Sequence, residues 1–422
     1  MIAPVIREYL RRVSGAGKNS QLYLWGLFLW GFGQSIFGLL FNLYLRELGY
    51  SDSSIGQILS KISLGAAVAA IPVAFLFRRV PTRNLLGGAA AIAALTYMLQ
   101  GTLVQPELIL LVAFFSGMVV TTFRLSIAPV VMREVSPASR PFLFSASFTV
   151  LFLSAILGST VGGLLPHLFR MLTDVERLQL RWSLWTACVF TLFAFIPFSR
   201  MRDSKRAHHD PGPTAWSQIR ELAEVDWGLQ LKLVLPSMMI GLGAGLIIPF
   251  LNLYFRDRFG LEPAAIGALF SVMQGFMVVG NLFGPAVSGR WGLVRGVVAT
   301  QLLSVPFMLV LALSGNFPLV VGAFFLRGSL MNMNQPLASH FAMAVVHERE
   351  HAITNSLLSL SWFVAWSISA DIGGALIERK GYTEPLLIAA GLYVAASILY
   401  WLFFHKVEEE RVPQAEVEIP DA

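Results

Sequence analysis

Twelve long apolar stretches constrain this sequence more than any other feature. A helix that crosses a bilayer needs about 20 mainly apolar residues, and each stretch is close to that length or longer. Their bounds are 21–45, 53–77, 83–104, 107–132, 141–167, 182–198, 232–255, 263–287, 293–314, 317–346, 352–377 and 384–405. Barrel strands alternate apolar and polar residues, whereas these stretches are almost continuously apolar. The sequence therefore predicts an all-α integral membrane protein with twelve transmembrane helices.

The positions of the basic residues predict how these spans are oriented. Cytoplasmic loops carry an excess of Lys and Arg, and here most of them lie in the terminal segments and in the loops on the same side. The other loops carry Arg46, Arg170, Arg177, Arg181, Arg256, Arg258, Arg379 and Lys380. Both termini are therefore expected to be cytoplasmic, in a multi-pass protein of the cytoplasmic membrane. The net charge of +6 fits this topology and needs no nucleic-acid partner.

One long polar stretch divides the spans into six and six. The expected organisation is a cytoplasmic N-terminal segment (1–20), a six-helix bundle (21–198), a cytoplasmic central loop (199–231), a second six-helix bundle (232–405) and a cytoplasmic tail (406–422).

The two halves also repeat one another in sequence. Residues 42–47 read Asn-Leu-Tyr-Leu-Arg-Glu at the end of the first span, and residues 252–257 read Asn-Leu-Tyr-Phe-Arg-Asp at the end of the seventh. Ile55-Gly56 and Ile266-Gly267 then follow at matching positions. Chance similarity between apolar segments does not produce this polar pattern, so we interpret the halves as an internal repeat.

Twelve spans, a six-plus-six repeat and a central cytoplasmic loop make the chain resemble the major facilitator superfamily of transporters. The resemblance implies a substrate site at the midplane between the halves, alternating access by rocking and function as a monomer. The family's Gly-x-x-x-Asp-Arg-x-Gly-Arg-Arg loop corresponds here to residues 74–83, which keep basic residues and have Arg78 at the acidic position.

Glycines in the fifth span suggest a branch of that family. Residues 158–163, Gly-Ser-Thr-Val-Gly-Gly, resemble the Gly-Pro-x-x-Gly-Gly signature of bacterial drug–proton antiporters, and residues 369–374, Ser-Ala-Asp-Ile-Gly-Gly, repeat it in the eleventh span. The likeness implies efflux. Small residues also let helices pack closely, which is the simpler interpretation of each glycine.

Two ionisable residues in the spans are candidates for proton coupling. A charge at mid-span costs about 2.5–3.5 kcal/mol on insertion scales, so it usually has a function and a partner. Lys61 in the second span and Asp371 in the eleventh lie at similar predicted depths. The family resemblance implies that these spans face each other, so protonation of Asp371 would break a Lys61–Asp371 pair. Alternatively, Lys61 extends to the headgroups by itself, or Arg327 is the partner of Asp371.

Two arginines are candidates for binding an anionic or polar substrate group. Arg327 and Asn334 are seven residues apart in the tenth span and thus share a helix face. Arg124, in the fourth span, has no acidic residue near it in the first half. Arg124 and Arg327 would supply one positive group from each half to a carboxylate or phosphate.

Other polar residues in the spans have two interpretations each. The amides of Gln34, Gln274 and Asn281 would contact substrate or form interhelical hydrogen bonds. His340, nearer the cytoplasm in the tenth span, would be an interfacial residue or a proton shuttle.

The residues favour secondary transport over catalysis. The sequence has no Gly-x-x-x-x-Gly-Lys nucleotide loop, no hydrolase constellation and a single cysteine, Cys188, so we expect no enzyme activity, cofactor or metal site. We predict proton-coupled efflux of a small amphipathic molecule. The alternatives are proton-coupled uptake of an organic anion and a membrane sensor or lipid-handling protein that does not transport.

Overall fold

The computed structural model describes residues 17–202 and 225–407, and within them twelve long helices follow one another. The first six are α1 (Lys18–Glu47), α2 (Asp52–Arg79), α3 (Thr82–Thr102), α4 (Pro106–Glu134), α5 (Arg140–Phe169) and α6 (Glu176–Ser199). The other six are α7 (Trp227–Phe259), α8 (Pro263–Trp291), α9 (Leu293–Leu313), α10 (Phe317–Val345), α11 (His351–Lys380) and α12 (Thr383–Phe404). The predicted N-terminal segment, central loop and tail lie largely outside the described residues.

The prediction of an all-α membrane protein with twelve helices is confirmed. Eleven helices in the described part of the chain are long and apolar enough to cross a bilayer. The twelfth is α10, whose 29 residues exceed the roughly 20 that a span needs. Polar residues, among them Arg327, Asn332 and Asn334, lower its mean hydropathy.

Local signals set where individual helices begin and end. The Ser51 hydroxyl accepts a hydrogen bond from the backbone N–H of Ser54 and so caps α2. The backbone of Gly260, with φ of 64°, ends α7 in the left-handed conformation that glycine adopts without strain. Within α7 the helix Trp227–Ile247 (α7a) passes through a 3-10 turn, Ile248–Phe250, into the helix Leu251–Phe259 (α7b). Pro249 lies in this turn and has no N–H to continue the α-helical pattern.

The helices group into two compact units that differ slightly from the sequence repeat. The first unit contains residues 17–202 together with Phe250–Ser271, and the second contains residues 225–249 and 272–407. By sequence, residues 250–271 belong to the second repeat, but by contact they belong to the first unit. We call this segment, which contains α7b and the beginning of α8 and lies on the predicted outer side, the outer hairpin.

Glycines allow the closest helix contacts inside the first unit. Where α2 crosses α4, a Cβ added at Gly65 would lie 1.9 Å from the carbonyl oxygen of Phe114, and one added at Gly117 would lie 1.8 Å from that of Ile62. No side chain fits at these distances. The crossing therefore depends on glycine at both positions.

The second unit is built from similar contacts between α7a and α11. A Cβ added at Gly373 would lie 2.4 Å from the carbonyl oxygen of Leu246. The helix α7a also packs on α12, and α9 packs between α10 and α12. The polar residues of α9, α10 and α12 are thereby buried together.

Candidate functional site

Arg327 is a buried cation held by a tyrosine. Its side chain is 4% exposed, its Nη2 donates a hydrogen bond to the Tyr393 hydroxyl at 3.2 Å, and its Cζ lies 5.8 Å from the centroid of the Tyr393 ring. Its Nε is buried without a hydrogen-bond partner among the described residues. Within the described residues no carboxylate pairs with it, and in particular no ion pair joins it to Asp371, which belongs to the same unit.

Asn334, predicted to share a face with Arg327, takes part in a hydrogen-bond network. Its Nδ2 donates to the backbone oxygen of Val297 at 3.0 Å and to the Thr300 hydroxyl at 2.9 Å. Its Oδ1 accepts from Gln301 at 3.4 Å, and Gln301 accepts in turn from Ser397 at 2.9 Å. These bonds join α9, α10 and α12. Substrate contact by Asn334 stays a prediction.

In the first unit Gln34 and Arg124 both lie near Tyr97. The Tyr97 hydroxyl donates a hydrogen bond to Oε1 of Gln34, and its ring stacks on Phe37 with centroids 4.1 Å apart. The Arg124 side chain is not covered by other residues and lies within electrostatic range of the Tyr97 hydroxyl. No ion pair joins Arg124 to a carboxylate in the described part of the chain. The arrangement places a cation within electrostatic range of a partly buried hydroxyl–amide pair.

The three candidates for proton coupling have exposed side chains. They are Lys61 on α2, Asp371 on α11 and His340 on α10. Lys61 belongs to the first unit and the other two to the second, and the Lys61–Asp371 pair stays a prediction. No described residue forms a hydrogen bond or an ion pair with Asp371.

The amide candidates of α8 are partly buried. Both Gln274 and Asn281 are of intermediate exposure, and the Oδ1 atom of Asn281 is buried without a hydrogen-bond partner among the described residues. Nearby, Asn332 of α10 donates to the backbone oxygen of Met277 at 3.3 Å. Asn281 therefore retains an acceptor that a donor group would satisfy.

The antiporter-like glycines pack helices together. A Cβ added at Gly158 would lie 2.7 Å from the backbone oxygen of Phe32, and one added at Gly163 would lie 2.7 Å from that of Pro263. At Gly162 the nearest atom would be Cα of Ile36 at 3.1 Å. These distances agree with the packing interpretation of the signature.

Sequence reasoning missed the two tyrosines that organise the arginines. Tyr97 and Tyr393 lie in apolar stretches, where a tyrosine is unremarkable, yet each is almost completely buried. A buried phenol usually finds a hydrogen-bond partner. That rule could have marked both residues as members of polar clusters, although it could not have identified their partners.

The comparisons with known proteins agree with this architecture. A family model described as Major Facilitator Superfamily matches residues 23–237 and 233–420. No curated protein matches the sequence.

Solved transporter structures match the fold at low sequence identity. A bacterial homolog of the human lysosomal transporter Spinster, inward-facing and occupied, matches with 12% identity and a TM-score of 0.77, over 95% of this chain and 98% of the other. The nucleoside transporter NupG matches with 14% identity and a TM-score of 0.72, over 92% and 98%. The human organic anion transporter MFSD10 matches with 16% identity and a TM-score of 0.59, over 92% and 99%.

Proposed function

We propose that this chain, which belongs to the Major Facilitator Superfamily, takes up a small organic anion together with protons. As a member of that family it is a multi-pass membrane protein and a secondary transporter of small molecules. The observation that supports anion uptake is the burial of the Arg327 side chain. Its charge is almost fully buried, and no described carboxylate balances it. Such a cation is stabilised when an anionic group binds.

Arg124 supports the same substrate class from the other half of the chain. It has no acidic partner among the described residues, and the hydroxyl–amide pair of Tyr97 and Gln34 lies near it. A guanidinium recognises a carboxylate or phosphate by paired hydrogen bonds. MFSD10 shares this fold, so the fold is compatible with an organic anion.

Proton coupling follows from the energetics of moving an anion inward. A membrane potential that is negative inside opposes entry of each negative charge by about 2.3 kcal/mol per 100 mV. A proton that moves with a monovalent anion cancels this charge. Asp371 is our candidate carrier, because it is a carboxylate on a membrane-spanning helix without an ion-pair partner in the described residues. Lys61 would pair with it in one state, and His340 is a second candidate for proton transfer.

The remaining polar candidates would orient the substrate. We assign this role to Gln274, Asn281 and Asn334, of which Asn281 has an acceptor that no described residue satisfies.

A second candidate function, efflux of an amphipathic compound in exchange for protons, draws on two observations. One is the likeness of residues 158–163 to the antiporter signature. The other is the pair of indole rings of Trp362 and Trp366, whose centroids are 5.7 Å apart. The two rings are tilted by 39° to each other, and the faces of such aromatic rings suit an amphipathic or aromatic cation.

Proton flux in proteoliposomes tests the proposal. With the outside more acidic than the inside, we expect an added organic anion to acidify the lumen. Arg327→Gln should raise the KM for the anion about tenfold to a hundredfold, because a charged hydrogen bond is lost. Asp371→Asn should abolish the proton movement.

The matched control is Lys380→Gln. It breaks an exposed ion pair with Glu384 and should transport like the wild type. Proton flux that depends on lipophilic cations but not on anions would contradict the proposal and favour the efflux candidate.

A further inference from the structure

The Tyr97 hydroxyl lies near both a cation and an amide in the first unit. It donates a hydrogen bond to Oε1 of Gln34 on α1, and the Arg124 guanidinium on α4 lies within electrostatic range of it. Tyr97 is 1% exposed, whereas Gln34 is half-buried and Arg124 is exposed. The amide and the guanidinium are therefore accessible to a ligand, and the phenol is not.

The cation determines the direction of the phenol hydrogen. A tyrosine hydroxyl has one hydrogen to donate and lone pairs that accept. A positive charge attracts the lone pairs and repels the hydrogen, so Arg124 favours the orientation in which the hydrogen points to Gln34. No other described residue forms a hydrogen bond with this hydroxyl. If the Gln34 amide turned over, the buried phenol hydrogen would lose its acceptor, which costs free energy.

This orientation leaves hydrogen-bond donors for a ligand. Because Oε1 of Gln34 faces the buried phenol, the amide presents the N–H groups of Nε2. The Arg124 guanidinium donates and accepts nothing, and no described residue accepts a hydrogen bond from either side chain. Every carboxylate among the described residues of the first unit lies at a helix end or in a loop. We call Gln34 and Arg124 the donor pair.

We propose that the donor pair selects the substrate in its ionised form, and that Tyr97 is the positioning residue that sets this selectivity. The inference rests on the proposed uptake of an organic anion. A carboxylate or sulfonate offers only acceptors and so matches the donor pair. A protonated acid or an amide brings an O–H or N–H group that finds no acceptor there. The co-transported proton therefore travels on the protein and not on the substrate.

Three benzene derivatives that differ in their head group test this selectivity. Benzoate and benzenesulfonate are anions whose oxygens only accept, whereas benzamide has nearly the shape of benzoate, no charge and N–H donors. Their dissociation constants would be measured at neutral pH by isothermal titration calorimetry on the full chain in lipid nanodiscs. We expect both anions to bind at least about tenfold more tightly than benzamide, because benzamide loses a charge-assisted hydrogen bond and leaves a donor unpaired.

Tyr97→Phe separates the positioning role from packing. Phenylalanine keeps a ring to stack on Phe37 but has no hydroxyl to hold the amide. The Gln34 amide then turns over and offers Oε1 to benzamide, so the ratio of the dissociation constants of benzamide and benzoate should fall by about threefold to tenfold. The matched control is Tyr23→Phe, which removes another buried hydroxyl of the first unit, bonded to Oγ of Ser126 at 2.8 Å. It should leave the ratio unchanged.

Gln34→Glu tests the donor pair while Tyr97 is kept. The glutamate carboxylate still accepts from the phenol, but it has no N–H group and its charge compensates Arg124. Benzoate and benzenesulfonate should therefore bind at least about tenfold more weakly than to the wild type, with a smaller loss for benzamide. A structural defect alone would weaken all three ligands equally.

The outcomes separate this inference from the transport proposal. Equal affinities of the wild type for benzoate and benzamide, or a ratio that Tyr97→Phe leaves unchanged, would overturn the role of the donor pair and Tyr97. Anion uptake would still stand if proton flux in proteoliposomes depends on an anion and on Arg327. Binding of neither benzoate nor benzenesulfonate to the wild type would overturn both proposals.

Discussion

A tyrosine, rather than a carboxylate, holds the buried Arg327 guanidinium in the second unit. The hydroxyl of Tyr393 accepts a hydrogen bond from Nη2, and the ring lies near Cζ. Both contacts stabilise the cation without neutralising it. The group that neutralises the charge of Arg327 must therefore come from outside the described residues, as the proposed anion does.

The bond between Arg327 and Tyr393 predicts a non-additive effect on stability. Tyr393→Phe leaves a buried, charged N–H without its acceptor, so it should lower the free energy of unfolding by about 1 to 3 kcal/mol. In the Arg327→Met background no such donor remains, and the same substitution should have little effect. Thermal unfolding in detergent, run as a double-mutant cycle, checks this coupling. Simple addition of the two effects would contradict it.

At the level of elements, paired glycines set the distances between helices. At the α2–α4 crossing the neighbouring atoms are backbone carbonyls, which cannot rotate away as a side chain can. Gly88 of α3 is the opposite case, because a Cβ added there would meet no atom of the described residues within 4 Å.

These two glycines should respond oppositely to alanine. Gly65→Ala forces α2 away from α4 and should destabilise the protein by about 1 to 3 kcal/mol. Gly88→Ala should stabilise it by up to about 1 kcal/mol, because alanine is the better helix former. Melting temperatures in one detergent compare the variants, and equal shifts would refute the role given to the crossing.

Sequence predicts helices well here and side-chain partners poorly. Twelve apolar stretches suffice for the helices because a bilayer requires each span to satisfy its own backbone. The sequence also predicted that Arg327 lies inside a span. It did not predict that Tyr393 is the partner of Arg327, because the two residues are 66 positions apart and periodicity only defines which residues share a helix face. Asn334 shows the same limit, since its network partners come from two other helices.

The whole molecule should respond to salt through the ion pairs of Arg46 and Arg256, which lie on the predicted outer side. The Debye length falls from about 10 Å at 0.1 M to about 3 Å at 1 M, so concentrated salt should weaken the pairs of Arg46 with Asp52 and Asp257 and of Arg256 with Glu47 and Glu176. We expect the melting temperature of the chain in detergent to be lower in 1 M sodium chloride than in 0.1 M. The Arg256→Gln variant has fewer pairs to lose and should respond less. An equal shift of the melting temperature in both chains would show that the salt effect arises from other residues.

The two copies of the repeated motif contact each other through the ion pairs Arg46–Asp257 and Arg256–Glu47, and this contact also bears on how such a chain arises. Because each copy supplies both the arginine and the acid that the other copy needs, the contact is self-complementary, as in a two-fold dimer of identical subunits. A half-length ancestor with one motif would already contain both sides of this contact. Joining two copies end to end preserves it without a single new residue, and a later exchange of Glu for Asp, as at Glu47 and Asp257, leaves its charges intact.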